Sequence, residues 1–121
     1  MRSSPTESTA TLPDTRLPAH LEVSALLRAA ESFGGFGTVL KKGEREGGTI
    51  LVVLVEKGVN ARVYERMPSP DGDRKWTCSK VQDADNPAQF HDYLERRGRQ
   101  DPDLWMIELD VANGERLIVS S

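Results

Sequence analysis

The sequence has only one cysteine and two histidines among its 121 residues. The single cysteine, Cys78, excludes a disulfide within one chain and a zinc site built from several thiolates. No His-Glu-x-x-His spacing surrounds His20 or His91, so we predict neither a metal site nor a cofactor. The longest apolar run, residues 50–55, is too short to span a bilayer. We therefore expect no membrane partner and a reducing, cytoplasmic location.

The chain also lacks an excess of charge of one sign and any familiar catalytic motif. Its 16 basic and 19 acidic residues give a formal net charge of -3, which favours neither nucleic acid nor an anionic membrane as a general partner. No serine lies in a Gly-x-Ser-x-Gly elbow, and the glycine-rich residues 43–48 lack the Gly-Lys-Ser/Thr end of a phosphate-binding loop. We predict no catalytic residue and, as the leading hypothesis, a small non-enzymatic binding or adaptor domain.

The composition changes after residue 16. Residues 1–16 are rich in serine, threonine and proline and have few large apolar side chains, so we predict a disordered tail, which could also order on a partner. With 37% hydrophobic residues overall, the remaining residues 17–121 are sufficient for one core. A single domain is expected there.

Apolar periodicity predicts a helix at residues 18–32, followed by four strands in a meander. The polar residues 42–48 are typical of a hairpin loop between the first two strands. The second strand is apolar at both parities, which indicates a central strand buried on both faces. The predicted strands are residues 36–41, 49–56, 61–67 and 75–81. A tight turn is predicted at residues 57–60 and a second turn at residues 68–73.

A second helix and a terminal hairpin are predicted after the meander. Asn86 as N-cap, Pro87 and Gln89 indicate a helix start, and the helix should end near Gly98. Strands are expected at residues 104–111 and 115–120, joined by an Asn-Gly turn. The predicted fold is α+β, with a mostly antiparallel sheet, the element order α-β-β-β-β-α-β-β and two helices packed on the sheet.

Two basic clusters are the candidate binding residues. Arg62, Tyr64 and Arg66 share one face of the third predicted strand, and Lys75 opens the fourth. Cations beside an aromatic ring can bind single-stranded nucleic acid, which is the alternative function, whereas cross-strand charge pairs on a wet face are the simpler interpretation.

The second cluster lies at the end of the second predicted helix. There the cations complement the helix macrodipole and could also bind an anion or an acidic partner. The cluster consists of Arg96, Arg97 and Arg99.

Two further hypotheses follow from single features. Cys78 could serve an unrecognised small enzyme as a nucleophile, although its place in a strand beside Trp76 favours a buried small apolar residue.

Only two helices are predicted to cover a sheet whose second strand is apolar on both faces. A second copy could supply the missing cover, so a homodimer is expected as one possible partner, besides an unknown protein.

Three segments carry a family resemblance. They are LPAHLEVS at residues 17–24, VLKKG followed by GTI at residues 39–50, and DPDLW at residues 101–105. From residue 17 onward the chain resembles domain-of-unknown-function family 1491, a small bacterial family. The resemblance implies a single-domain bacterial protein and transfers no catalytic or binding residue to this chain.

Overall fold

The computed structural model describes residues 17–68 and 74–119, so the predicted tail at residues 1–16 and most of the turn before the fourth strand lie outside the described residues. The described elements form an α+β domain, as predicted. In chain order they are α1 (Ala19–Ser32), β1 (Phe36–Lys41), β2 (Ile50–Glu56), β3 (Val59–Pro68), β4 (Arg74–Val81), α2 (Pro87–Gln100), β5 (Trp105–Asp110) and α3 (Glu115–Val119). None of the helices in the described residues is both long and apolar enough to cross a membrane.

The five described strands form one sheet in the order β1-β5-β2-β3-β4. The meander β2-β3-β4 is antiparallel, as predicted. The predicted hairpin between β1 and β2 is wrong, because β5 lies between them, antiparallel to β1 and parallel to β2. Since β5 is buried along nearly its whole length and β1 is mostly exposed, β5 takes the inner position and β1 the edge.

The connection between β1 and β2 holds α1 instead of forming a hairpin. The backbone N–H of Ala19 donates to the carbonyl of Glu46 at 2.8 Å, and that of His20 donates to Arg45 at 3.0 Å. These bonds satisfy N–H groups that the first turn of a helix leaves without an intrahelical partner. The loop is therefore fixed by α1 rather than by strand pairing.

Both faces of β2 are buried, which confirms its predicted central place. The core on the α1 side of the sheet includes Val23, Leu26, Val52, Leu54, Ile107 and Leu109. The core on the α2 side includes Leu51, Val53, Val63, Phe90, Leu104 and Met106. The helices of one chain thus cover both faces of β2. A second copy is therefore not needed to cover this strand, and a homodimer stays a prediction.

The predicted last strand is wrong, because Glu115–Val119 is the helix α3. Leu117 and Ile118 are adjacent in sequence and both lie in the α1-side core. In a strand, neighbouring side chains point to opposite faces, whereas a short helix can bury both of them on one side. Gly114 permits the close approach, because a Cβ there would lie 2.9 Å from a methyl carbon of Leu54.

The local signals for turns and caps agree with the structure. Lys57 and Gly58 have φ angles of 52° and 79° at the predicted tight turn between β2 and β3. The side chain of Asn86 accepts a hydrogen bond from the backbone of Gln89, as expected of an N-cap. α2 continues two residues beyond the predicted end at Gly98.

Candidate functional site

The predicted basic and aromatic face of β3 binds other parts of the same chain. Arg62 Nε lies 2.7 Å from Glu115 Oε2, and the Tyr64 hydroxyl donates to the same oxygen at 3.0 Å. Arg66 makes two contacts with the Glu22 carboxylate, at 2.7 and 2.8 Å. These interactions attach α3 and α1 to the sheet, so they explain the three residues as structural contacts.

Trp76 and Lys75 are adjacent residues of β4, next to the basic and aromatic face of β3. The Arg66 guanidinium lies 4.9 Å from the centre of the Trp76 ring, which covers the ring face that a base would need for stacking. Lys75 is exposed on β4 and, being adjacent to Trp76 in a strand, belongs to the opposite face of the sheet. The structure therefore does not bring Lys75 together with the other three.

The three arginines of α2 also have separate environments. Arg97 binds both carboxylate oxygens of Glu65, at 2.6 and 2.8 Å, and donates to the Tyr93 hydroxyl at 3.1 Å. Arg96 and Arg99 are exposed. The Arg96 guanidinium lies 5.8 Å from the Tyr93 ring centre, so it shares that ring with Arg97.

Glu65 is the buried charged residue of the described core, with 6% of its surface exposed. Burial by itself raises the pKa of this carboxyl, but hydrogen bonds from Arg97 and Ser79 outweigh that effect and lower the pKa below 4.5. Ser79 Oγ donates at 2.9 Å. This cluster is a satisfied ion pair that fixes α2 on the sheet, and it leaves Glu65 unavailable to a ligand.

The expectation that Cys78 is a buried apolar residue is wrong, because its side chain is exposed. It lies across from Tyr64 on the α1 side of the edge strand β4, beyond the area that the helices cover. His91 belongs to α2, on the other side of the sheet. Within residues 17–68 and 74–119, no group of three or more His, Cys, Asp or Glu side chains could hold a metal ion.

A groove of about 860 Å³ lies beside α2. Phe90 and Leu94 attach α2 to the sheet, and α2 covers β2, β3 and the start of β5 at Met106, which leaves Glu108 and β1 less covered on the same face. The groove floor consists of Val53, Val55, Met106 and Glu108. One wall is formed by α2, with His91, Glu95 and Arg99, and β1 contributes Leu40 and Lys41.

Glu108 is the unusual residue of this floor. It is half-buried, and no hydrogen bond or ion pair reaches its carboxylate from the described parts of the chain. Burial raises its pKa above 4.5, and the nearby carboxylate of Asp110 raises it further. A partly desolvated carboxylate without a partner in a groove is typical of a binding site rather than of a structural contact.

Two charged neighbours of Glu108, Asp110 and Lys41, are already engaged. Asp110 accepts hydrogen bonds from the backbone N–H groups of Lys57 and Gly58, at 2.7 and 3.1 Å, and so stabilises the β2–β3 turn. The Lys41 ammonium donates to two backbone carbonyls, both at 2.9 Å. Neither group neutralises Glu108.

The sequence analysis missed Glu108 because the alternation of Ile107 and Leu109 with Glu108 and Asp110 is typical of a strand with one wet face. Its neighbours at the same parity are Met106 and Asp110, so the position is indistinguishable from an ordinary polar residue on a half-buried strand. The available signal is that β5 is apolar at both parities around it, which is typical of a strand covered on both sides.

Known structures resemble this fold along most of the chain. The crystal structure of a DUF1491 family protein from Caulobacter crescentus is 32% identical, with a TM-score of 0.71, and the match covers 84% of this chain and 94% of that chain. An NMR structure of a DUF1491 family protein from the same organism is 31% identical, with a TM-score of 0.71, covering 86% and 94%. The solution structure of a protein from A. tumefaciens is 27% identical, with a TM-score of 0.68, covering 87% and 94%.

The family comparison agrees with these structures. No curated protein matches the chain. Residues 17–119 match the family described as "Protein of unknown function (DUF1491)". The match spans every helix and strand described above, and the chain therefore belongs to the DUF1491 family.

Proposed function

We propose that this protein is a non-enzymatic binding domain whose α2 groove takes a lysine or arginine side chain from an apolar segment of a partner protein. The observation that carries the proposal is Glu108, a half-buried carboxylate on an apolar floor that no described residue neutralises. A cation brought by a partner restores the interaction that burial removes from this carboxylate.

The shape of the groove supports the same kind of ligand. Leu40 and Leu94 offer apolar surface at the rim of the groove, beside the buried floor residues Val53, Val55 and Met106. Lysine and arginine combine an apolar stem with a cationic end, so the stem packs on these side chains while the end reaches the carboxylate. The groove volume of about 860 Å³ lies within the range of ligand sites, and its open form suits a segment of a chain.

The other two hypotheses receive less support from the contacts. The nucleic-acid hypothesis depends on Arg62, Tyr64 and Arg66, whose polar groups already bind Glu115 and Glu22. The enzyme hypothesis depends on Cys78, whose thiol contacts the backbone carbonyl of Lys80 at 3.8 Å and neither of the two histidines among the described residues. We therefore favour binding.

The proposed location is the bacterial cytoplasm. A single cysteine, exposed and free, is usual in a reducing compartment. The similar structures come from Caulobacter crescentus and A. tumefaciens, which supports a bacterial origin.

The first prediction tests the role of Glu108. We expect a blocked apolar pentapeptide with one central lysine to shift the backbone amide NMR signals of Val53, Val55 and Met106. The substitution Glu108→Gln should weaken this binding about tenfold, since the loss of one charge-assisted contact is worth about 1.4 kcal/mol. Peptide titrations monitored by NMR measure both effects.

Glu95→Gln is the matched control, because Glu95 is an exposed carboxylate on the wall of the same groove, paired with His91 at 3.2 Å. This variant should bind the lysine peptide like the wild type. The wild type should bind a peptide with norleucine in place of lysine more weakly than it binds the lysine peptide. The Glu108→Gln variant should bind the two peptides equally. Equal binding of the two peptides to the wild type would contradict the proposal.

A further inference from the structure

β1 is an edge strand with an unusual amount of exposed apolar surface. Phe36, Val39 and Leu40 are 56%, 40% and 46% exposed. One side of β1 pairs with β5, and no described strand pairs with its other side. Natural proteins protect such an edge with charges, prolines or a covering element, because unpaired N–H and C=O groups invite another strand.

Both edges of the sheet have an irregular register, between Val39 and Lys41 in β1 and between β3 and β4, but only β4 carries charged residues along its length. β4 carries Lys75 and Lys80 within its length. Residues 36–40 contain no charge and no proline. Lys41 closes β1, but its ammonium is directed inward, to the carbonyls of Pro102 and Leu104. The difference between the two edges indicates that β1 is covered in the working protein.

We infer that β1 pairs in antiparallel orientation with β1 of a second copy of this chain, forming a symmetric dimer with a continuous ten-stranded sheet. A twofold axis beside a strand requires antiparallel pairing of that strand with itself. A register centred on Thr38 places each Phe36 next to Leu40 of the second copy, where β1 has its irregularity between Val39 and Lys41. It also places each Gly37 opposite Val39 of the second copy.

The side chains of β1 fit this register on both faces of the sheet. Phe36 shares the α2 side with Leu40, which already lines the groove, so their contact buries apolar surface on that side. On the α1 side, Gly37 has no side chain, and a Cβ there would lie 2.5 Å from a methyl carbon of Leu27. Leu27 of the same chain therefore fills the space beside Gly37, and Val39 of the second copy would pack against Leu27 there.

The charges at the two ends of β1 are complementary. Lys42 is exposed just after the strand, and Glu31 is exposed shortly before it, near the end of α1. Antiparallel pairing brings the basic end of one copy to the acidic end of the other. A parallel arrangement would place like charges together, so the charges favour the same orientation as the symmetry.

The expected dimer is weak. β1 has six residues, and an interface limited to one short strand buries less than the ~1,000 Å² that a stable interface needs. Dimerisation should therefore depend on protein concentration in the micromolar to millimolar range, where sedimentation equilibrium measures it.

The test compares the full chain with Val39→Lys. The wild type should move from a mass of 13.4 kDa toward twice that value as its concentration rises. Val39→Lys places a charge on the α1 side of β1, outside the α2 groove, and should weaken dimerisation at least about tenfold while the circular dichroism spectrum stays unchanged. A wild type that remains monomeric at 1 mM, or a variant that dimerises equally, overturns the inference.

A cysteine crosslink tests the register. In a Cys78→Ser background, Thr38→Cys should form a disulfide-linked dimer under mild oxidation, because directly opposed residues in antiparallel strands have the Cα separation that a disulfide requires. Thr77→Cys in the same background is the matched control, since Thr77 is exposed on the opposite edge strand. Crosslinking of Thr77→Cys to the same extent as Thr38→Cys overturns the proposed pairing.

Discussion

Two acidic residues on the same side of the sheet show how a contact decides the behaviour of a carboxylate. Glu65 is nearly fully buried, yet Arg97 and Ser79 lower its pKa against the effect of burial. Glu108 is less buried, but burial and the nearby Asp110 raise its pKa because no described cation opposes them. At the scale of the residue, partners rather than depth explain why Glu65 is structural and Glu108 is available.

The two carboxyls therefore have opposite effects on stability as pH changes. The lowered pKa of Glu65 stabilises the folded protein above about pH 4.5, and this contribution is lost as pH falls through the pKa of the folded state. Because the pKa of Glu108 is raised, this carboxyl keeps its proton to a higher pH in the folded protein than in the unfolded chain. Its effect is a decrease in stability as pH rises from about 4.5 through the pKa of the folded state.

Urea unfolding of two glutamine variants at pH 4 to 8 measures these effects. We expect Glu65→Gln to lower the free energy of unfolding at pH 7 by about 1.5 to 3 kcal/mol, because it removes a charge-assisted contact in the core. Glu108→Gln should raise that free energy by less than about 1 kcal/mol, since the groove is open to solvent. A loss of stability at pH 7 in Glu108→Gln would show that the carboxylate has a structural partner.

At the scale of the element, α3 is where local pattern and tertiary packing disagree. The Asn113-Gly114 pair followed by five residues of mixed polarity favours a hairpin. The structure forms a helix because Leu117 and Ile118 both enter the α1-side core, and Arg62 and Tyr64 bind the first residue of α3, Glu115. A short segment with weak propensity takes the form that buries its apolar side chains.

Alanine substitutions distinguish the helix from the strand. Leu117→Ala and Ile118→Ala should each lower the free energy of unfolding by about 2 to 4 kcal/mol, because each removes a buried side chain from the same core. Arg116→Ala should cost less than about 1 kcal/mol, because this side chain is exposed and lies over Phe33, 4.3 Å from the ring centre. A large effect at only one of the two apolar positions would fit a strand instead. Urea unfolding followed by circular dichroism provides the measurement.

At the scale of the whole molecule, β5 connects parts of the chain that are far apart in sequence. It pairs with β1 on one side and with β2 on the other, and it contributes to both cores. The groove exists because α2 covers β2, β3 and the start of β5, which leaves Glu108 and β1 less covered on that side.

A truncation tests this arrangement. A chain that ends at Gln100 loses β5, so β1 loses its described partner and β2 loses one neighbour. We expect the truncated protein to be unfolded, with a poorly dispersed amide NMR spectrum, while the full chain gives a dispersed one. A folded truncated chain would instead fit the meander predicted from the sequence, in which the first four strands pair in order.

Local sequence determined the elements whose signals are short-range. Helix periodicity, the Asn86 cap and the turn at Lys57 and Gly58 predicted α1, α2 and the β2–β3 connection, because capping and turn geometry involve residues close together in the chain. The run of apolar residues in β2 predicted its central place, because this signal also lies within one short segment of the chain.

Only the tertiary structure decided where β5 inserts, that α3 is a helix, and which charges have partners. These features depend on contacts between residues more than 30 positions apart, such as Arg62 with Glu115 and Arg66 with Glu22. Side-chain periodicity predicts which positions are buried, but it does not predict which residues they contact. For the same reason the sequence did not reveal Glu108, which is notable because no described residue forms a hydrogen bond or ion pair with its carboxylate.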